Sequence, residues 1–356
     1  MRIGVILPNW VGDVVMATPT LRALRQTHPA AEVVGIGRPF LKSLLGGTNF
    51  LDSYLGWEHH GKGSWGRSWQ LVRTLRAQRL DAMLVLRNSP YAAAIAYCSG
   101  AKQRIGFARR GSGLFLTKTI QPPRENGKLV PISAVDYYAQ TAEALGCSVT
   151  KRQLELATLP ADEAAADLQW KRLDLPSPEQ VVLLNTGGAF GSTKHWPARH
   201  SVNLARRAAT DLGLTVLVLC GPNEREEAAD IASLAAHPLV KSVAGEDVSF
   251  GVTKALVRRA RMLITTDSGP RHIASAMQTP TITLFGPIDP RWSRNYQDLS
   301  TELHLRLDCA PCGKKVCPLS HHACMQDLHP DLVLRALKNM LERTESNPAT
   351  SKQKVA

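Results

Sequence analysis

Short apolar runs that break off at polar or Gly-Pro residues, most of them leading into a helical pattern, recur in two successive series along this chain. That double series is what most restricts the fold. In the first series the runs are RIGVILP (2–8), AEVVGIG (31–37), DAMLVLR (81–87) and KQRIGF (102–107), with the helix-like VVMATPTLRALRQ (14–26) after the first. In the second they are VVLLNTGG (181–188), TVLVLC (215–220), MLITTD (262–267) and TITLFGP (281–287), with helical stretches reaching Leu212 and about Ala236. A strand with one wet face alternates apolar and polar residues, whereas a continuous apolar run needs cover on both faces. Both series therefore predict an α/β fold of two doubly wound, Rossmann-like domains. We expect an N-terminal domain over 1–157 and a second domain over 181–330, with a linker over 158–180 where a polar, Pro-bounded stretch interrupts the alternation. An amphipathic helix over 331–345 and a polar, disordered tail over 346–356 follow. Ligands of such folds bind beyond the carboxyl ends of the strands, so the expected site is the cleft between the domains.

The formal net charge of +13 calls for acidic partners: nucleic acid, anionic lipid surfaces or phosphorylated substrates. No stretch reaches the roughly 20 apolar residues of a spanning helix. MRIGVILPNW lacks a signal-peptide pattern, so a cytoplasmic protein is expected. Seven cysteines are present, four of them (Cys309, Cys312, Cys317 and Cys324) within CAPCGKKVCPLSHHAC. An odd count without a secretion signal argues against a disulfide framework.

Two glycine-rich matches carry no weight. GKGSWG (61–66) fits G-x-G-x-x-G but follows Glu58-His59-His60 instead of a strand, and GGAFGSTK (187–194) lacks the G-K-[ST] order of a Walker loop. No Asp stands two residues from another Asp, so the acidic pair with which many nucleotide-sugar enzymes hold a divalent metal is absent. A diphosphate would depend on Lys, Arg and helix N-termini.

The informative residues sit at strand ends. Asp13, after the first run, is either a helix N-cap or a carboxylate able to take a proton from a hydroxyl. Ser192, Thr193 and Lys194 are either a solvated loop or donors and a cation for a diphosphate. Glu224, Glu226 and Glu227 open a helix, where acids serve its dipole or hold ribose hydroxyls, and the sequence does not choose among them. Thr266, Asp267, Ser268, Gly269 and His272 crowd one junction, with Pro270 suited to a first helical turn and free N–H groups suited to phosphate. Together the four strand ends suit a nucleotide diphosphate carrying a sugar, plus a base for an incoming hydroxyl.

At this point the chain resembles the ADP-heptose–lipopolysaccharide heptosyltransferases, and within them the heptosyltransferase II branch. The resemblance runs from residue 1 to about 344 and rests on ILPNWVGDVVMATPTLRAL, GGAFGSTKHWP, TTDSGPRHIASAM with TPTITLFGPIDP, and the cysteine segment. It implies a GT-B fold and an inverting, metal-independent transfer of heptose from ADP-heptose to the inner-core heptose of lipopolysaccharide, with no cofactor. Asp13 matches the family's proposed base, Lys194 its diphosphate-binding lysine, Asp267 the acid on the donor heptose, and Ser268, Gly269 and His272 the phosphate-binding turn. An acceptor of this kind implies peripheral contact with the inner membrane surface and no nucleic-acid partner. Arg38, Arg87, Arg104, Arg109 and Arg110 are acceptor candidates or solvated surface.

A sister transferase with another donor or acceptor is the near alternative. A basic nucleic-acid-binding protein with a zinc site is the distant one, and a dinucleotide oxidoreductase is disfavoured because no G-x-G-x-x-G follows a strand. The cysteine spacing C-x₂-C-x₄-C-x₆-C departs from paired zinc knuckles. A structural zinc and a loop packed through reduced cysteines both remain open readings, with the segment expected to serve stability and not chemistry.

Overall fold

The computed structural model of the chain describes residues 1–58, 64–188 and 191–346. The first half of the G-x-G-x-x-G match, Ala189, Phe190 and the tail after Ser346 lie outside the described residues. The chain divides into two compact units, Met1–Ala157 with Arg291–Asn295, and Thr158–Pro290 with Tyr296–Ala356.

The first unit holds a parallel sheet of β1 (Arg2–Ile6), β2 (Glu32–Gly37), β3 (Ser53–Gly56), β4 (Ala82–Val85), β5 (Gln103–Phe107) and β6 (Lys118–Ile120) in the order β3-β2-β1-β4-β5-β6. A two-stranded hairpin, β7 (Arg124–Glu125) with β8 (Lys128–Leu129), stands apart from it. The second unit repeats the plan with β9 (Val181–Asn185), β10 (Thr215–Val218), β11 (Val240–Ser242), β12 (Met262–Thr266), β13 (Thr281–Phe285) and β14 (Ser300–His304), ordered β11-β10-β9-β12-β13-β14 and all parallel. Strands β4, β9, β12 and β13 are buried along their whole length, as continuous apolar runs require when helices cover both faces. The two-domain α/β expectation holds. In each sheet the strand order reverses beside the first strand, at β1/β4 and at β9/β12, where the carboxyl ends leave a crevice for ligands.

Local differences have local causes. The helix expected over 14–26 is two, Val11–Met16 and Thr18–Thr27, because Pro19 lacks the N–H that would continue the ladder and instead occupies a first turn. Stretch 158–180 is not a free linker. Its helix Pro160–Arg172 packs on helix Phe250–Arg259, with Arg259 Nη2 donating to Glu163 Oε2 at 2.6 Å and the buried Gln169 donating to Asp247 O at 3.1 Å. β3, β6, β11 and β14 have no counterpart in the sequence reading. They are short, partly exposed strands that carry no apolar run.

Candidate active site

The second unit concentrates its polar groups where β9 and β12 end. β12 runs into Asp267, Ser268 stands at the N-cap in extended conformation, and helix Gly269–Ala276 begins with Pro270 in its first turn. Lys194, on the turn Ser192–Lys194, donates from Nζ to Asp267 Oδ2 at 2.6 Å and to Asp267 O at 2.7 Å. Arg271 approaches the other carboxylate oxygen at 3.2 Å, pairs with Glu302 at 2.7 Å and lies over the Phe285 ring. The Asp267 and Arg271 side chains are 6% and 1% exposed. Burial alone would push the Asp267 carboxyl up, but the charges of Lys194 and Arg271 outweigh it and hold it down at about 2. Asp267 is therefore an anion at any physiological pH, suited to accept hydrogen bonds and unsuited to act as a base.

The neighbouring hydroxyls brace the crevice. Thr266 Oγ1 donates to Gly187 O at 2.7 Å, and Asn185 Nδ2 reaches Ser268 Oγ at 3.2 Å and Thr265 Oγ1 at 3.3 Å. Asn185 faces Thr265 in the register of β9 with β12, a pairing that no single stretch of sequence displays. Glu224 accepts from Gly221 N at 2.8 Å, and a Cβ on Gly187 would sit 2.2 Å from Glu224 Oε1, so only glycine lets that carboxylate lie across the end of β9. Glu227 accepts from Thr186 Oγ1 at 3.2 Å, whereas Glu226 is exposed. The structure thus separates the three acids that the sequence left equal.

Two expected donor residues are buried. Thr193 is buried and spends its hydroxyl on Lys314 O at 2.8 Å. His272 is 3% exposed on the inner side of its helix, and burial, then the charge of Arg271, pulls it down to about 3. As a neutral imidazole with Nδ1 unpartnered, it offers no cation to a phosphate. This has a measurable consequence. Between pH 6.5 and 3 the unfolded histidine binds a proton that the folded one refuses, so stability should fall as pH drops through that window. The expected slope is about 1.4 kcal/mol per pH unit. Denaturant titrations from pH 7 to pH 5 should show it, and His272→Gln should flatten it. A slope unchanged by that substitution would assign the acid sensitivity to other groups.

The cysteine segment, expected to serve stability and not chemistry, packs on the turn that carries Lys194. His322 Nε2 donates to Thr193 O at 2.7 Å, Lys314 O accepts from Thr193, and Lys315 O lies 2.8 Å from where a Cβ on Gly191 would be. The segment therefore holds the turn that carries Lys194. His322→Ala should lower turnover about tenfold, the value of one lost hydrogen bond to the turn, while His322→Gln, which can still donate, should recover most of it. All four cysteines are free thiols, and burial together with Cys312, Cys309 and Cys317 pushes Cys324 up to about 11. Among the described residues no group of three or more His, Cys, Asp or Glu side chains is arranged to hold a metal ion.

The first unit places its candidates at the ends of β1, β4 and β5. Asp13 is not the N-cap. Trp10 occupies that position without a side-chain cap bond, and Asp13 lies in the first turn of helix Val11–Met16. It is hydrogen-bonded to Tyr138, whose hydroxyl burial and the Asp13 charge push well above its ordinary value, so the tyrosine stays protonated and donates. Tyr137 donates to Asn88 Oδ1 at 2.6 Å, stacks on Phe107 at 3.5 Å and is hydrogen-bonded to Arg109, whose charge also reaches Tyr138. Arg109 thus shares its tyrosine pair with Asp13. Arg87 lies over Trp57 at 5.2 Å and is pulled down by burial and by the charge of Arg38. Arg104 is committed elsewhere, to Phe115 O at 2.8 Å and Ala101 O at 2.7 Å, and Arg110 is exposed. Tyr138, Asn185 and Arg271 went unread in the sequence. Of these only Asn185, which closes an apolar run, carries a local signal.

A sequence model of glycosyltransferase family 9 (heptosyltransferase) matches residues 68–323. The chain belongs to this family. It is 25% identical to lipooligosaccharide heptosyltransferase 2 of Campylobacter jejuni over 97% of this chain and 99% of that one. Lipopolysaccharide heptosyltransferase 2 of Escherichia coli K12 is 25% identical over 97% of this chain and all of that protein. The structure of E. coli ADP-heptose lps heptosyltransferase II superposes with a TM-score of 0.78 at 23% identity, covering 97% of this chain and 100% of that one. The family 9 chain is a glycosyltransferase with the GT-B type of fold, and by family and relatives it is heptosyltransferase II-like. The matched region includes Lys194, Asp267 and three of the four clustered cysteines, Cys309, Cys312 and Cys317, while Asp13 precedes it and falls within the stretch shared with the full-length relatives. Among the described residues no helix is long and apolar enough to cross a membrane.

Proposed function

We propose that this family 9 chain moves heptose from ADP-heptose to the inner-core heptose of lipopolysaccharide by a single inverting displacement. The observation that carries this reading is the buried Lys194–Asp267–Arg271 cluster beside the Ser268 helix start. It keeps an anion and a cation fixed at the crevice of an ADP-sugar type of fold. In this reading Asp267 accepts from hydroxyls of the donor heptose, Glu224 or Glu227 from the ribose, and Lys194 with the N–H groups at Gly269 offsets charge on the departing β-phosphate. Ser192, exposed on the same turn as Lys194, is a further diphosphate contact.

Asp13 takes the proton of the acceptor hydroxyl as its oxygen bonds to the anomeric carbon. The bond from that carbon to the phosphate oxygen breaks on the opposite face, ADP leaves, and the centre inverts. The Tyr138 hydrogen bond holds the Asp13 carboxylate in place, and Arg109 and Arg87 provide cations for an acidic acceptor. With no Asp-x-Asp pair in the chain, neutralisation falls to Lys194 and the helix start, and we propose that the reaction needs no divalent metal.

The test is turnover of ADP-heptose with purified heptosyl-Kdo₂-lipid as acceptor, read as ADP release and product mass. Activity should be the same in EDTA as in Mg²⁺. No turnover with that pair, but turnover with another nucleotide sugar, would make the chain a sister transferase of the same family.

A further inference from the structure

Residues 59–124 hold 12 lysines and arginines against one acid, Asp81, and so account for most of the net charge of +13. Part of this stretch lies on one outer side of the first unit. Helices Ser64–Gln78 and Pro90–Cys98 cover the same side of the sheet, and the turn Ser112–Phe115 packs beside the second. Trp65 meets Tyr91 edge-on at 6.5 Å at one end of the helix pair, and Arg76 Nε donates to Cys98 O at 2.7 Å at the other, so the two helices run side by side. Tyr97 then meets Phe115 at 6.0 Å.

The first helix buries Ser68, Leu71, Val72 and Leu75. Its outer stripe is Trp65, 81% exposed, Trp69, 61% exposed one turn later, then Arg73 and Arg76. Beside it Tyr97 and Leu114 are 56% and 88% exposed. Core packing does not explain two indoles and a leucine left in water among arginines. Indole rings favour the level of lipid headgroups, and arginines are drawn to anionic headgroups. Leu114 has no π-face for a nucleic-acid base to stack on, yet it gains from entering an acyl boundary. A second copy of the chain would bring the same positive field and be repelled.

We propose that this face docks the protein on an anionic lipid bilayer. Trp65, Trp69 and Leu114 enter the headgroup layer while Arg73, Arg76 and Arg79 face lipid phosphates. The inference rests on the glycolipid-acceptor reading for its setting, but lipid binding is measured without acceptor or donor, so either can fail alone. The experiment is co-sedimentation of the full chain with phosphatidylglycerol–phosphatidylethanolamine vesicles and, separately, with phosphatidylcholine vesicles. The chain should bind the anionic vesicles, more weakly as salt rises, and bind the neutral ones little. Removing charge with Arg73→Gln and Arg79→Gln should lower the partition coefficient about fivefold per arginine. Trp65→Ser with Trp69→Ser should lower it at least about tenfold. These exposed substitutions should leave thermal unfolding and transfer to detergent-dispersed acceptor unchanged. Absent binding, equal binding to both vesicle types, or variants that bind like the parent would overturn the proposal. So would variants that instead lose RNA binding or self-association.

Discussion

Asp13→Asn should leave the fold and donor affinity intact while lowering kcat by about 10²–10⁴-fold, the worth of a positioned general base. The substitution isolates the chemistry because its structural cost is small. Asp13 lies in the first turn of helix Val11–Met16, and Asn there keeps a side-chain oxygen to receive the Tyr138 hydroxyl. If the carboxylate served only the helix dipole, its loss would cost about 0.3–1 kcal/mol of stability and leave the rate alone. Steady-state kinetics with saturating ADP-heptose, alongside a thermal melt, separates the two. A near-normal kcat with a slightly lowered melting temperature would remove Asp13 from the reaction.

Lys194→Ala should act on both rate and stability, and the two effects share one cause. The ammonium is bound to Asp267 through the carboxylate and the backbone carbonyl, in a place only 13% exposed on the lysine side. Removing it takes away the cation expected to meet the leaving diphosphate, a loss of about 10²–10³-fold in kcat by analogy with a deleted charge-stabilising donor. It also strips a nearly buried carboxylate of its principal partner, and breaking such a pair costs about 3–5 kcal/mol. Arg271 still neutralises part of that charge, so the lower end is expected. The pH signature has a definite sign. The Asp267 carboxyl, held at about 2 against 3.8 when unfolded, contributes stability that is complete above pH 3.8 and lost as pH falls through 2. In the variant its folded pKa rises, so that contribution shrinks. Added Mg²⁺ should not restore the rate, and restoration by Mg²⁺ would contradict the metal-free reading.

These two residues also show where sequence reading stops. The places where Asp13, Lys194 and Asp267 stand could be read directly. An apolar run that ends in a polar cluster and then meets Gly-Pro is a pattern of neighbours along the chain, and neighbours along the chain decide strand, break and helix start. The same local logic predicted both parallel sheets, because buried strands must be apolar throughout whatever they pack against. It failed at the edges, where β3 and β11 become strands only because β2 and β10 present hydrogen-bonding partners to them.

What each candidate residue is bonded to was decided by the tertiary structure alone. Lys194 and Asp267 are 73 residues apart, and Thr193 and Lys314 are 121 apart. Periodicity cannot say that the first pair forms an ion pair or that the second ties the cysteine segment to the lysine turn. Burial is likewise a property of the assembled unit. It made His272 a neutral imidazole, while the cations of Lys194 and Arg271 kept the equally buried Asp267 an anion, though both lie within one eleven-residue stretch, Met262–His272, that looks uniformly polar at its end. Strand and helix follow from forces that act over a few residues, whereas charge state and bonding partner follow from which distant groups share the same low-dielectric space.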